Sequence, residues 1–249
     1  MFPIRDHNPS GRVPYVVYAL ILANVAVFAL TWAELSLDLR AMDRFYTDWG
    51  LQPVELSNGQ ALHTVFTSMF VHGSLLHLAG NMLFLWVFGD NLEDTLGPLR
   101  FLGYYLACGV AAALLQVAAS PWSPVPMVGA SGAIAGVMGG YLLLFPKARV
   151  DVLVFIVIFF RIFPVRAWIV LMIWIGIQLV QGLSMAPDEG GVAYYAHIGG
   201  FIAGMVLMVP SWLVRGGPRF WNRTEGRPPH PATEYVLTGS RIPRVRRRL

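Results

Sequence analysis

The chain has 249 residues, 56% of them hydrophobic and only 13% charged, with a mean hydropathy of +0.57, against roughly 25% charged in an average soluble domain. So few charges cannot cover the surface of a soluble fold of this size; lipid must replace the missing polar surface, and a soluble enzyme is excluded. Disorder over most of the chain is excluded on the same grounds, and the single cysteine, Cys108, rules out a disulfide or zinc framework and reads as a packing residue.

A hydrocarbon core of about 30 Å takes about 20 apolar residues of helix. In chain order the predicted spans are residues 15–33, 69–89, 101–119, 125–145, 167–183 and 191–214, the last running past Pro210. The first is kept as a span because Thr31-Trp32-Ala33 is a poor signal-peptidase site. Residues 34–68 form a long loop with short amphipathic runs, expected to fold into short helices resting on the outer leaflet. Residues 152–160 (VLVFIVIFF) are apolar but too few to span, and read as an interfacial or re-entrant piece whose β-branched content also suits a short extended segment. The expected fold class is an all-α membrane protein, six transmembrane helices in a compact bundle. Its expected parts are an N-terminal segment 1–14, a membrane domain 15–214 and a basic, Pro-rich, disordered tail 215–249.

Six spans put both termini on one side of the membrane. Every Lys and Arg except Arg40 and Arg44 falls on that side, so both termini are expected in the cytoplasm. This asymmetry accounts for the pI of about 9.5 without a nucleic-acid partner; the tail reads as a topology anchor near anionic lipid.

Polar side chains inside a span are costly and are therefore functional candidates. The second span carries His72, His77 and Asn81, with His77 and Asn81 one turn apart on one face. The fourth carries Ser131 in VGASGAIAG and the sixth carries His197 in YYAHIGGFIAG. Taken singly, each suits packing or interhelical hydrogen bonding. Together they lie in the outer half of three helices: Ser131 and His197 each stand six residues, about 9 Å, inside their windows. Gly132, Gly136 and Gly140 on the fourth span, and Ala196, Gly200 and Gly204 on the sixth, form small-residue ridges that let two backbones approach. If those ridges meet, Ser131 and His197 lie side by side, the minimum for an activated nucleophile. His77, Asn81 and the Ser131 amide are candidate donors to a developing oxyanion. No intramembrane carboxylate accompanies them, so a dyad is expected and not a triad.

The segments HLAGN (77–81), GASGAIAG (129–136) and AHIGGFIAG (196–204), in this order on alternate spans, closely resemble the rhomboid intramembrane serine proteases, over roughly residues 14–212. The resemblance implies a rhomboid-like bundle and hydrolysis of peptide bonds in transmembrane segments of other proteins. Ser131 would be the nucleophile, His197 the general base, and His77, Asn81 and the Ser131 amide the oxyanion site. It further implies a water-filled cavity open to the outside and lined by His72 and Gly129, a gating fifth helix, and no cofactor or metal. Two positions depart from the pattern: His63-Thr64 stand where many members carry Trp-Arg, and Ala135 stands where some members stack a Tyr on the base. Glu93 matches a structural acid at the inner end of the second span. The alternative reading is a non-catalytic rhomboid-fold binding or quality-control factor, disfavoured because both Ser131 and His197 are present. A third reading, a proton or ion pathway through His72, His77, Asn81 and His197, is disfavoured because those groups sit in the outer half and no titratable chain continues to the cytoplasmic side. A bacterial inner membrane is the expected location, since no transit-like segment is visible.

Overall fold

The computed structural model describes residues 2–8, 10–35, 37–156, 159–184 and 192–229. Strand β1 (Phe2–Asp6) is followed by α1 (Tyr15–Leu35), then by three short helices, α2 (Leu39–Trp49), α3 (Pro53–Ser57) and α4 (Thr64–Thr67). Next come a 3-10 turn (Ser68–Phe70), α5 (Leu75–Leu96), α6 (Pro98–Ala119) and α7 (Ser131–Leu144). Strands β2 (Arg149–Ile156) and β3 (Phe159–Arg166) precede α8 (Ala167–Ser184), α9 (Tyr194–Val214) and α10 (Pro218–Thr224).

Helices α1, α6, α8 and α9 are each long and apolar enough to cross a membrane, and the α4/3-10 segment joined to α5 makes a fifth candidate, bent by 95°. Large apolar side chains point outward around the bundle, among them Leu22, Leu114, Val180 and Val206, each more than half exposed. A soluble protein does not present such a belt; this is an integral membrane protein built as a largely helical bundle.

Helix α7 is the axis. Every residue from Gly132 to Tyr141 is buried, and at 14 residues it is shorter than the other bundle helices. Its small residues let α9 come down onto it. A Cβ added to Gly204 would stand 2.5 Å from the Gly136 Cα, and one added to Gly200 would stand 2.9 Å from the Gly132 carbonyl carbon. The expected ridges therefore do meet, Gly132 against Gly200 and Gly136 against Gly204. Gly140 departs from the ridge and faces the Tyr104 hydroxyl of α6. That hydroxyl seals the seam, lying 2.6 Å from the Gly136 carbonyl oxygen and 3.0 Å from that of Gly204.

Several expectations need correction. The fold is not all-α: β1, β2 and β3 form an antiparallel sheet in that order, with Asp6 opposite Val150 and Arg149 opposite Arg166. The Val-, Ile- and Phe-rich segment takes its extended alternative because β-branched residues favour a pleated surface and because β1 is available to pair with it. Its connecting residues 157–158 lie outside the described residues. The tail is not disordered from residue 215: α10 follows at once, with Phe220 buried beside Phe145 at 6.4 Å. Residues 230–249 lie outside the described residues. The second window does not start as helix at Met69, since the chain turns at 71–74 before α5, whose N-cap Ser74 accepts from the His77 amide. Likewise α7 starts only at Ser131: Leu51 and Met127 bridge their backbones, and Gly129 turns at positive φ just ahead of the helix.

The inner end of α5 is an acidic clamp on the N-terminal segment. Glu93, expected to be structural, accepts from the amides of Val16 (3.0 Å) and Val17 (2.8 Å), two of the orphan donors at the start of α1. Asp6 accepts from Asn91 Nδ2 (2.7 Å) and the Tyr141 hydroxyl (3.1 Å). In the sheet, Asp151 pairs with Arg5 and with His7, each at 2.7 Å.

Two outcomes follow from these contacts. Gly204→Val drives a branched side chain into the Gly136 backbone and should cost about 1–3 kcal/mol, read as a lower thermal midpoint in detergent. Gly103→Ala, whose Cβ meets nothing within 4 Å, should leave the midpoint unchanged or raise it. Burial, reinforced by the nearby Asp90 carboxylate, pushes Asp6 up to about 8 from its ordinary 3.8. The folded chain thus holds a proton that the unfolded chain releases, so this stabilisation is complete below about pH 4 and is lost as pH rises through about 8. Hydrogen exchange of the β1 amides, corrected for intrinsic rate, should be faster at about pH 9 than at about pH 6, and Asp6→Asn should flatten the difference.

Candidate active site

Ser131 is the first residue of α7, so its hydroxyl stands where the helix amides have no partner in the preceding turn. It is not six residues inside its helix as the hydropathy window implied. His197 is the fourth residue of α9, and the Gly132/Gly200 approach sets the two helices so that His197 Nε2 lies 2.8 Å from Ser131 Oγ. His197 is buried and Ser131 half-buried at the floor of a cavity of about 480 Å³ that His77, Asn81 and Trp174 also line.

The other wall comes from α5 and the segment before α7. Gly129 has φ +123°, a conformation open to glycine alone, and its amide donates to the Ser68 carbonyl at 2.8 Å. A Cβ there would stand 2.7 Å from His77 Nε2 and 3.4 Å from Asn81 Nδ2. His77 and Asn81 therefore pack against bare backbone one residue pair before Ser131. Asn81 Nδ2 donates to His72 Nε2 at 2.9 Å, and the His72 and His77 rings meet edge-on at 5.1 Å. His72 is buried in the link ahead of α5 and touches the site through Asn81 without lining the cavity of His77 and Trp174, while Gly129 lines a smaller pocket beside it that Ser131 also borders.

Two contributors were not anticipated. Trp174 of α8 lies over the His197 ring, centroids 5.5 Å apart and planes 38° from parallel. Gln178, one turn further along α8 and buried, places Oε1 2.6 Å from His197 Nδ1. With Ala135 too small to cover the ring, these two are the side chains of α8 that meet it. The signal was present in the WIGIQ run: an aromatic and an amide four apart in a span, the same rule that singled out Asn81. Gln116 of α6 was likewise missed; its Oε1 accepts from the Ala196 amide at 3.2 Å and helps fix the start of α9. The other departure, His63-Thr64, is also accommodated locally. His63 Nε2 donates to the Asp48 carbonyl at 3.0 Å and its ring packs edge-on against Trp49, tying α4 to the end of α2. Among the described residues, no His, Cys, Asp and Glu cluster forms a metal-ligand set.

Chemically the arrangement holds a hydroxyl against an imidazole, with amide and imidazole side chains across the cavity. Gly129→Ala should disturb it selectively: backbone strain plus the overlap with His77 should cost about 1–3 kcal/mol. A lower thermal midpoint in detergent is expected, against an unchanged one for Gly73→Ala, where a Cβ meets nothing within 4 Å.

The Rhomboid domain family profile matches residues 59–213. The chain is 32% identical over 199 residues to Rhomboid protein 1, mitochondrial, of Saccharomyces cerevisiae, covering 77% of this chain and 51% of that protein. It is 34% identical over 141 residues to the human Presenilin-associated rhomboid-like protein, mitochondrial (55% and 35%), and 32% identical over 148 residues to Rhomboid protease GluP of Bacillus subtilis (59% and 26%). The chain thus spans about half of the first of these curated relatives and about a third or a quarter of the other two. The matched segment starts just after α3, runs to the last turn of α9 and contains every residue of the Ser131 and His197 site, and on this match the chain belongs to the rhomboid family.

Proposed function

We propose that the chain is an intramembrane serine endopeptidase that cleaves transmembrane segments of other membrane proteins through a Ser131 and His197 dyad. The observation that carries this reading is the 2.8 Å approach of His197 Nε2 to Ser131 Oγ inside the cavity. As Ser131 Oγ attacks the scissile carbonyl, its proton passes to His197 Nε2. The carbonyl oxygen becomes an oxyanion facing His77, Asn81 Nδ2 and the Ser131 amide, and each well-placed donor contributes about 3 kcal/mol to the transition state. His197 gives the proton to the leaving amine as the C–N bond breaks, leaving an acyl-enzyme; it then takes a proton from the water that attacks the ester and returns it to Ser131 Oγ as the acyl–Oγ bond breaks and the acid leaves. No cofactor enters these steps.

The setting follows the same reading. Helix α7 is about 21 Å long against a hydrocarbon core of about 30 Å. With its inner end near the cytoplasmic interface, Ser131 lies roughly 9 Å below the outer surface, and the cavity above it carries water down to the bond. This takes α1, α5, α6, α7, α8 and α9 as six transmembrane helices of one membrane domain, 15–214, with α2 to α4 at the outer leaflet. The flanking segments 1–14 and 215–249 are then cytoplasmic, as the Lys and Arg asymmetry requires. A bacterial inner membrane is the location this topology suits. The lipid bilayer and transmembrane protein substrates are the partners, and nucleic acid is not one.

Fluorophosphonate labelling of the detergent-purified chain tests the dyad. Wild type should label, Ser131→Ala and His197→Ala should each lose nearly all labelling and all cleavage of a transmembrane substrate, and the double variant should be no worse than either. Asn81→Ala should retain labelling and lose cleavage in part. A folded wild type that neither labels nor cleaves would sink the proposal.

A further inference from the structure

The dyad leaves one polar contact of its base unexplained. His197 Nδ1 faces Gln178 Oε1 at 2.6 Å, the shorter of the two hydrogen bonds the ring makes. An amide oxygen has no proton to give, so the Nδ1 atom must carry one, and a neutral imidazole protonated at Nδ1 has its lone pair at Nε2. That lone pair is what a Ser131 hydroxyl needs as an acceptor. The contact is buried, where a displaced ring could not turn to water for a substitute.

Gln178 is also placed by its helix in a telling way. Helix α8 buries only Ala167, Leu171, Ile175, Gln178 and Gly182, a single stripe, while Ile177, Val180 and Leu183 on its other faces are exposed. In that stripe Gln178 is the polar member, and it is spent on His197. Trp174, one turn earlier, covers the same ring. Near the cavity mouth α8 is further tied to α9 by the Tyr195 hydroxyl, which donates to the Gly182 carbonyl at 2.9 Å.

We infer that Gln178 is the positioning residue of the base: its side-chain oxygen holds His197 in the Nδ1–H tautomer and aims Nε2 at Ser131. This rests on the dyad reading above and adds to it the group that takes the place of a triad carboxylate. When His197 accepts the Ser131 proton at Nε2, Nδ1–H stays bonded to Gln178 Oε1. No proton moves to Gln178, and the ring cannot swing away with its new charge. A neutral acceptor stabilises the imidazolium less than a carboxylate does, so the loss on removing it is smaller than for a triad acid.

The test uses the full chain in detergent with a fluorophosphonate, measuring the saturating labelling rate apart from the half-saturating concentration, and 15N-histidine spectra of the same protein. Gln178→Met keeps the length and removes the acceptor; its saturating rate should fall about ten- to hundredfold, the range of one lost hydrogen bond to a charged group, with the half-saturating concentration unchanged. Gln178→Glu keeps an oxygen at the same reach, as the stronger acceptor, and should label at least as fast as wild type. The wild-type spectrum should place the His197 proton on Nδ1, and in Gln178→Met that signal should lose its hydrogen-bonded shift. A Gln178→Met rate equal to wild type, a Gln178→Glu rate as low as Gln178→Met, or a wild-type proton on Nε2 would each overturn the inference. The spectrum reads the tautomer whether or not the protein labels: a wild type that fails to label with the proton on Nδ1 defeats the dyad and leaves the Gln178 contact standing.

Discussion

The close approach of α7 and α9 at paired glycines governs the rest of the molecule. In lipid no hydrophobic force draws two apolar helices together, so association relies on dispersion and on backbone contacts that only small residues permit. At Gly132/Gly200 and Gly136/Gly204 the separation is less than any side chain would allow, and the Tyr104 hydroxyl bridges two carbonyl oxygens along the seam. Ser131 precedes Gly132 by one residue and His197 precedes Gly200 by three. Their 2.8 Å contact is therefore a property of helix register. A slip of one turn would part them by about 5.4 Å, beyond any hydrogen bond.

The opposite wall is set by a different constraint. Residues 125–129 are pinned by the Leu51 and Met127 bridge and end at Gly129, whose missing side chain is the space His77 occupies. Asn81 is oriented in turn by His72. The loop that supplies Leu51 is itself braced by His63 and Thr67, the latter donating to the Trp49 carbonyl at 2.9 Å. One side of the cavity thus depends on helix packing and the other on a chain of loop hydrogen bonds.

Much of this was legible in the sequence. Hydropathy located a helix within each of the six windows, and the rule that a polar residue in a span needs a reason singled out His77, Asn81, Ser131 and His197 before any geometry was known. The glycine repeats gave the facing ridges, because a missing Cβ is a property of sequence. What hydropathy could not give was where apolar chain stops being helical. Residues 69–74 and 125–130 are as apolar as the helices they precede, and only their contacts with other elements make them turn or extend. The hairpin was visible as an ambiguity and was decided by a partner, β1, more than 140 positions away. Gln178 and Trp174 were readable in principle, but a helix without a family motif drew no scrutiny of its polar residues.

The distance between β1 and its partners sets an order of events as the chain is made. Arg5 and His7 meet Asp151 across 146 and 144 positions, and Asp6 meets Tyr141 across 135. Until translation has passed these partners, the first strand has no ladder to join and Asp6 has no hydroxyl donor. Glu93 can engage Val16 and Val17 much sooner, across 77 and 76 positions. The N-terminal segment is therefore fastened in two stages, first to the inner end of α5 and only later to the hairpin, and α7 must be in place before the second can close. Sealing of the sheet marks a bundle whose central helix has already entered.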